Sequence, residues 1–496
     1  MTTSTPAPLQ AGVAKVDITR TDSTTTTDPL YANIDAATIN DRLYVKALIL
    51  KQDDTTAVLI TVDAVAIAEI GTIRDDYLAN VRTQLHANLQ IEASSVLINA
   101  SHCHGVVCSD IVERTVEAVK KAAQNMVPVK IGAGTGHEDR IMENRRLPLK
   151  NGGEADVRHA HSMPPDDEVT GVGPVDPEIG ILKLERENGQ TFAIVYNFAC
   201  HPIQGVPSGG NTADLSGFAS KVIEDCSDEG TVALFLQGCA GDINPVRYKD
   251  VDQPRDAEPL GNLLGLSTLR ALRDIPSKKG ATLKIINESL ALPRADLQQS
   301  IVELQEKQQQ LLESLNGTTL NLKTFLPLMV KYHLAPESPS YYSHRYMHEE
   351  KTGRNHLAKF DADNRHNMNQ YIENIHTMEK ITRVQENLRL LQMHQAQNDA
   401  AGEDTLKVEL LGLRIGDFVL TTFPGELSVQ TGLSLKKASP HPLTFVAGVT
   451  NGYIYYTPTA KQLENRGGAQ EDSDCLLAPE WQELYENKAV EILQKL

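Results

Sequence analysis

Five short apolar runs punctuate the chain, residues 95–100, 192–198, 232–236, 418–423 and 443–449, and each gives way at its end to a polar, Gly-, His- or Glu-bearing segment. Near-continuous apolar runs of this length suit strands buried on both faces, and such strands require a central sheet with other layers packed on either side. Residues 43–51 and 56–63, parted by Gln52, Asp53 and Asp54, read as a hairpin-like pair of strands. Val81, Leu85 and Leu89, spaced four apart, predict an amphipathic helix over 73–89. The pattern as a whole predicts an α/β fold, a three-layer α/β/α domain around a central mixed sheet.

Residues 295–401 differ in kind. They are rich in Gln and Glu, with Ile301, Leu304, Leu311 and Leu315, then Ile381, Val384, Leu388 and Leu391, on helical spacing. Two long helices forming an antiparallel hairpin are expected there, inserted into a domain made of residues 1–294 and 402–496. The aromatic and polar connection Tyr341-Tyr342-Ser343-His344-Arg345-Tyr346-Met347-His348 suits a lid or a contact between copies in a homo-oligomer; its plainest reading is a solvated insertion without chemistry. A Gly-, Pro- and Asp-rich loop over 152–177 is expected at the surface near the site.

Charge narrows the partners. With 47 Lys and Arg against 65 Asp and Glu, the formal net charge is −18, and no basic run offsets it, so nucleic acid is not expected as a partner. No apolar stretch reaches the roughly 18 residues of a spanning helix. Residues 1–10 are Thr-, Ala- and Pro-rich without a basic start, so a soluble cytoplasmic protein is expected as the sequence stands, or an exported one if a signal peptide has been removed. The six cysteines fit neither a disulfide framework nor a zinc ribbon, and Cys103, Cys200 and Cys239 read as small buried thiols beside the chemistry.

That chemistry gathers at the run ends. The first run leads into His102-Cys103-His104-Gly105, where strand alternation would turn both imidazoles toward one site. The second stops at His201-Pro202, the third at a loop holding Asp242 and Asn244, the fourth at Glu426, and the fifth opens into Asn451-Gly452-Tyr453-Ile454-Tyr455-Tyr456. Ligands of open α/β sheets bind beyond the carboxyl ends of strands. Two imidazoles and a carboxylate make a three-ligand zinc site with an open position, and such a site lowers the pKa of its water toward about 7. Alternatives stand beside each residue: Tyr456 as a half-buried aromatic, Glu426 as a carboxylate preceding a helix, and Asp242 as an acceptor for the backbone of its own turn. Asp63 and Asp214 reach the same edge and are expected to orient histidine N–H groups.

The ordered series Gly12-Val-Ala-Lys-Val-Asp17-Ile18-Thr19, Ser-His102-Cys-His104-Gly, Asn144-Arg145, His201-Pro202, Gly-Asp242-Ile-Asn244-Pro245, Pro424-Gly-Glu426 and Asn451-Gly-Tyr453-Ile-Tyr455-Tyr456 resembles the catalytic domain of the neutral, non-lysosomal ceramidases. The resemblance implies one zinc ion held by His102, His201, Glu426 and Tyr456. It places His104 in the active site, assisting proton transfer or stabilising an oxyanion, and makes Arg145 an active-site arginine, with Arg146 an equally placed alternative. Asn244 and Asp242 fall in the active-site loop. Two departures matter: the ceramidase motif has a serine where Asn244 stands, and residues 466–470 lack a further active-site tyrosine. The sequence runs about 40 residues past Tyr456, so a catalytic domain without the following β-sandwich is expected.

A zinc-dependent hydrolase of an amide bond is therefore expected. Arg145, Arg146, Arg158, His159, His161 and the 341–348 connection suggest a small, polar, even anionic substrate rather than ceramide. An ester or glycosidic bond at the same site, or a noncatalytic metal-binding relative, are the alternatives.

Overall fold

The computed structural model describes residues 7–21, 34–157, 163–205, 209–248, 250, 252, 255–339 and 343–496. The hairpin forms as Tyr44–Gln52 and Thr55–Val62, paired antiparallel, with Asp53 at the turn in the left-handed conformation that short polar residues tolerate. It lies within an eight-stranded mixed sheet ordered Val232–Gln237, Thr191–Phe198, Glu178–Arg186, Val127–His137, Gln10–Asp17, Tyr44–Gln52, Thr55–Val62 and Val96–Ala100. The outermost pair at each edge is parallel and the inner pairs are antiparallel. The helix expected over 73–89 forms as Tyr77–Leu89, with Tyr77, Val81 and Leu85 buried.

The α/β class and the central mixed sheet are as the sequence predicts. What covers the sheet is more particular. One face, through Val45, Ala47, Ile181 and Tyr196, meets the helices Ile111–Gln124, Asp214–Asp225 and Glu258–Leu272. The other, through Leu48, Leu59, Leu182 and Val195, packs on Leu411, Leu413, Leu420 and Phe445 of a second, four-stranded sheet. That sheet is ordered Leu283–Pro293, Thr405–Ile415, Phe418–Thr422 and Thr444–Ala447, and its outer face takes the helix Trp481–Lys495. The layers thus run helix, sheet, sheet, helix. Strands of a sandwich and strands of a helix-covered sheet are both apolar on two faces, so sequence pattern does not separate them.

The chain divides into two compact units, Met1–Asp296 with Met393–Leu496, and Leu297–Gln392. Among its described residues the inserted region holds four helices rather than two: Gln298–Glu313, Leu322–Leu334, Ser343–Lys351 and His356–Ala401, the last 46 residues long. Asn321 starts the second with a capping box shared with Thr324. Phe325, Tyr332 and Met368 form a small core of this unit. Tyr341 and Tyr342 lie outside the described residues, and Ser343 already begins a helix. Among the described residues no helix is long and apolar enough to cross a membrane.

Gly12 lies where the strand Gln10–Asp17 passes beneath the helix Ile111–Gln124, and a Cβ there would fall 1.9 Å from the carbonyl oxygen of Ala122. Gly12→Ala is expected to destabilise the fold by about 1–3 kcal/mol, read as a lower urea midpoint at unchanged slope. A midpoint equal to that of the unaltered chain would contradict this packing.

Candidate metal centre

The carboxyl edges of the two sheets are stitched together by buried amides. Asn99 donates to the Gly448 carbonyl and the Thr450 hydroxyl at 2.7 and 2.9 Å, and its own Oδ1 accepts from the Gln237 N–H at 3.0 Å. Asn197 donates to the carbonyls of Leu236 and Val446. The loops that leave these strand ends therefore converge, and they carry His102, His201 and Glu426. The ligand atoms of these three residues all lie within 4.8 Å of one another, and each residue is buried.

His102 follows the strand Val96–Ala100 but is not part of it. The strand ends at Ala100, and His102 takes φ 67°, a left-handed conformation that only the surrounding contacts hold. Strand alternation therefore does not govern the His-x-His pair. The rings of His102 and His104 are still neighbours, with centroids 6.0 Å apart at 83°, and His104 is only partly buried. His201 is fixed twice by Ile243, whose carbonyl accepts from the His201 backbone N–H at 3.1 Å and from Nδ1 at 3.0 Å. Glu426 begins a two-residue strand paired in parallel with Tyr456–Thr457. The Tyr456 ring stacks beside that of His201, centroids 6.3 Å apart.

The group could hold a cation. The Nδ1 atoms of His102 and His201 face the carbonyls of Val65 and Ile243 at 2.6 and 3.0 Å, which accept only, so each Nδ1 must carry the proton. Both Nε2 atoms then turn to one oxygen, Glu426 Oε2, at 3.2 and 2.8 Å. Burial lowers the pKa of His102, but the Glu426 carboxylate outweighs it and holds the imidazole above its usual value. Burial and the nearby Arg145 push His201 down to about 4, so at neutral pH its Nε2 lone pair confronts the carboxylate oxygen at 2.8 Å. Two lone pairs at that distance repel, and a metal ion between them converts the repulsion to attraction. The donor set, two imidazole nitrogens and a carboxylate oxygen, is the one zinc takes in three-ligand sites.

No family model matches the chain, and no curated protein does. Among solved structures it is similar to the neutral ceramidase of Pseudomonas aeruginosa, at a TM-score of 0.62 and 15% identity over 99% of this chain and 75% of that one. It is likewise similar to a ceramidase complexed with C2, at a TM-score of 0.62, 16% identity, and 98% and 75% coverage. The fold is that of neutral ceramidase.

Within the ceramidase fold the remaining expected residues take varied places. Asp63 and Asp214 do not orient His102 or His201, because backbone carbonyls occupy both Nδ1 positions. Asp63 instead accepts from the Tyr44 N–H, and Asp214 from the N–H groups of Gln204, Gly205 and Leu215. Asp242 is engaged by the Val429 N–H, at the start of the helix Val429–Ala438, and by Asn144 Nδ2. Tyr453, quoted within the last motif but assigned no part, donates its hydroxyl to Glu426 Oε1 at 2.5 Å and so fixes the rotation of that carboxylate.

The arginines are already paired. Arg145 donates to Glu471 Oε1 at 2.5 Å, to Asn244 Oδ1 at 2.9 Å and to the Gly241 carbonyl at 2.5 Å, with its guanidinium 5.4 Å from the Tyr456 ring. Arg146 forms a two-point pair with Asp472 at 2.7 and 3.0 Å and also reaches Glu154. Both are buried, and their charge is neutralised in place rather than offered to an anionic substrate. Arg158, His159 and His161 lie outside the described residues. Glu471 and Asp472 escaped the sequence reading because nothing in their local pattern shows that a distant Arg-Arg pair needs them.

Removing one partner of a buried ion pair strands the other charge at about 3–5 kcal/mol. Arg146→Met, which leaves Asp472 and Glu471 without that cation, is expected to lose stability of this order in urea unfolding. A loss below about 1 kcal/mol would show that the network is dispensable.

Proposed function

We propose that this chain is a zinc-dependent hydrolase that cleaves an amide bond of a small acyl compound. The observation that carries the proposal is Glu426 Oε2 facing both imidazole Nε2 atoms, with both Nδ1 atoms committed to carbonyls. His102, His201 and Glu426 would hold the ion, with Tyr456 beside His201 as a fourth ligand. Zinc bound there supplies Lewis acidity, acidifying water and polarising an acyl carbonyl. The neighbours of like fold are ceramidases, and a ceramidase by name acts on ceramide, an N-acyl compound. That likeness supports an amide over an ester or glycosidic bond.

The chain's own residues divide the remaining work. His104, partly exposed and beside the His102 ring, takes up and returns the proton that amide cleavage moves to the leaving nitrogen. Tyr453 holds the second oxygen of Glu426 and keeps the first turned toward the imidazoles. Arg145 braces Asn244, the Gly241 carbonyl and the Tyr456 face. With its donors so engaged, it positions the site rather than stabilising an oxyanion directly. Asn244 is fully buried, and its Oδ1 is taken by Arg145, so the position offers no hydroxyl where the ceramidase motif has serine.

Protein prepared without chelator is expected to carry about one zinc per chain, and His102→Ala or His201→Ala to release it. His104→Ala is expected to keep the zinc and lose about 10²-fold or more in activity. Elemental analysis without a transition metal would overturn the metal assignment, and zinc loss on His104→Ala would reverse the two histidine roles. In a panel of N-acyl amino acids, N-acyl amino sugars, simple esters and ceramide, turnover is expected on small N-acyl compounds and not on ceramide. Robust ceramide cleavage in detergent would restore a plain ceramidase.

A further inference from the structure

Tyr455 takes φ 63°, a left-handed conformation that bulky residues avoid and glycine accepts freely. It does so at the junction of the metal group. Its carbonyl accepts from the Glu426 N–H at 2.9 Å, and the next residue, Tyr456, is the parallel ladder partner of Glu426. The Tyr456 N–H in turn donates to the Asp474 carbonyl at 3.1 Å. How the backbone turns at Tyr455 therefore decides where Glu426 and Tyr456 lie.

The end of the long helix His356–Ala401 holds that turn. Gln397 Nε2 donates to the Tyr455 hydroxyl at 3.0 Å, and the His394 ring meets the Tyr455 ring edge-on, centroids 4.7 Å apart at 73°. His394, itself fully buried, is pinned at Nε2 by Asp474 Oδ1 at 2.6 Å and at Nδ1 by Gln397 Oε1 at 2.8 Å. Asp474 is the residue whose carbonyl receives Tyr456, so the contacts close into a ring. Asn398 ties the same helix end to the carbonyls of Ala295 and Leu476 at 2.9 and 3.0 Å. A cluster present only for packing would not need its polar atoms matched in this cyclic order around a strained residue.

We propose that His394 and Gln397 are positioning residues for the metal group: they clamp Tyr455 in its left-handed conformation and through it set Glu426 and Tyr456 against the imidazoles. The clamp rests on the reading of His102, His201 and Glu426 as metal ligands. Zinc affinity, measured by competition with a chromophoric chelator on full-length chains whose folding is followed by circular dichroism, separates the two.

Tyr455→Ala and Tyr455→Gly both delete the ring and differ only in how well they tolerate positive φ. The Ala variant is expected to bind zinc about five- to thirtyfold more weakly than the Gly variant. His394→Ala is expected to weaken zinc by about tenfold or more, and His394→Gln, which can still donate to Asp474, to recover most of that. If Tyr455→Ala does not fold, the His394 pair decides alone. Equal affinities for the Ala and Gly variants, or unaltered affinity in His394→Ala, would overturn the clamp and leave the metal assignment standing. Failure of the unaltered chain to bind zinc would overturn both.

Discussion

A single carboxylate oxygen, Glu426 Oε2, sits 2.8 Å from one imidazole nitrogen and 3.2 Å from another, and all three side chains are buried. The conflict lies at His201, whose Nδ1 hydrogen goes to the Ile243 carbonyl and whose Nε2, with the pKa pushed down to about 4, turns a lone pair to that oxygen. Leaving lone-pair-bearing and charged groups facing one another at low dielectric is costly, and a cation held by the three residues would relieve it. The rest of the molecule can be seen as what holds this cluster in place. Two sheets bring five strand ends to one edge, Asn99 and Asn197 tie the sheets across it, and Tyr453 fixes the carboxylate.

Strain is concentrated at the same edge. His102, Val449, Asn451 and Tyr455 all take positive φ, although Val449 is β-branched and Tyr455 is bulky. Residues at the ends of strands leave the sheet's ladder and must be turned sharply to face one point. The hydrogen bonds from the Ala100 N–H to the Val449 carbonyl and from the Asn451 N–H to the Ile98 carbonyl show what compensates them. The buried Arg145–Glu471 and Arg146–Asp472 pairs form a floor to this edge, exchanging desolvation for fixed geometry.

Much of this was legible in the sequence, and the reason is local. The strands, the hairpin, the inserted helical region and the His, His and Glu at run ends all follow from apolar runs and what stops them. The second sheet was not, since burial on two faces looks the same whether helices or strands supply it. The same limit applies to Asp63 and Asp214: their place near the edge was readable, but whether a carboxylate or a carbonyl meets a ring nitrogen depends on loop geometry. Val65 and Ile243 take that part with their backbones, and a backbone carbonyl leaves no trace in sequence. The arginines mislead for a related reason, because their partners Glu471 and Asp472 lie more than 300 positions away, with |i−j| of 326 for both pairs.

His102, His201 and Glu426 are proposed to ligate one metal ion jointly. X-ray absorption at the zinc edge of the zinc-loaded full-length chain tests this most directly. A first shell of nitrogen and oxygen only is expected, at about 2.0–2.2 Å, with the outer-shell scattering of two imidazoles. Cys103, Cys200 and Cys239 are buried free thiols close to these segments, so a sulfur shell at about 2.3 Å, or scattering from fewer than two imidazoles, would contradict it.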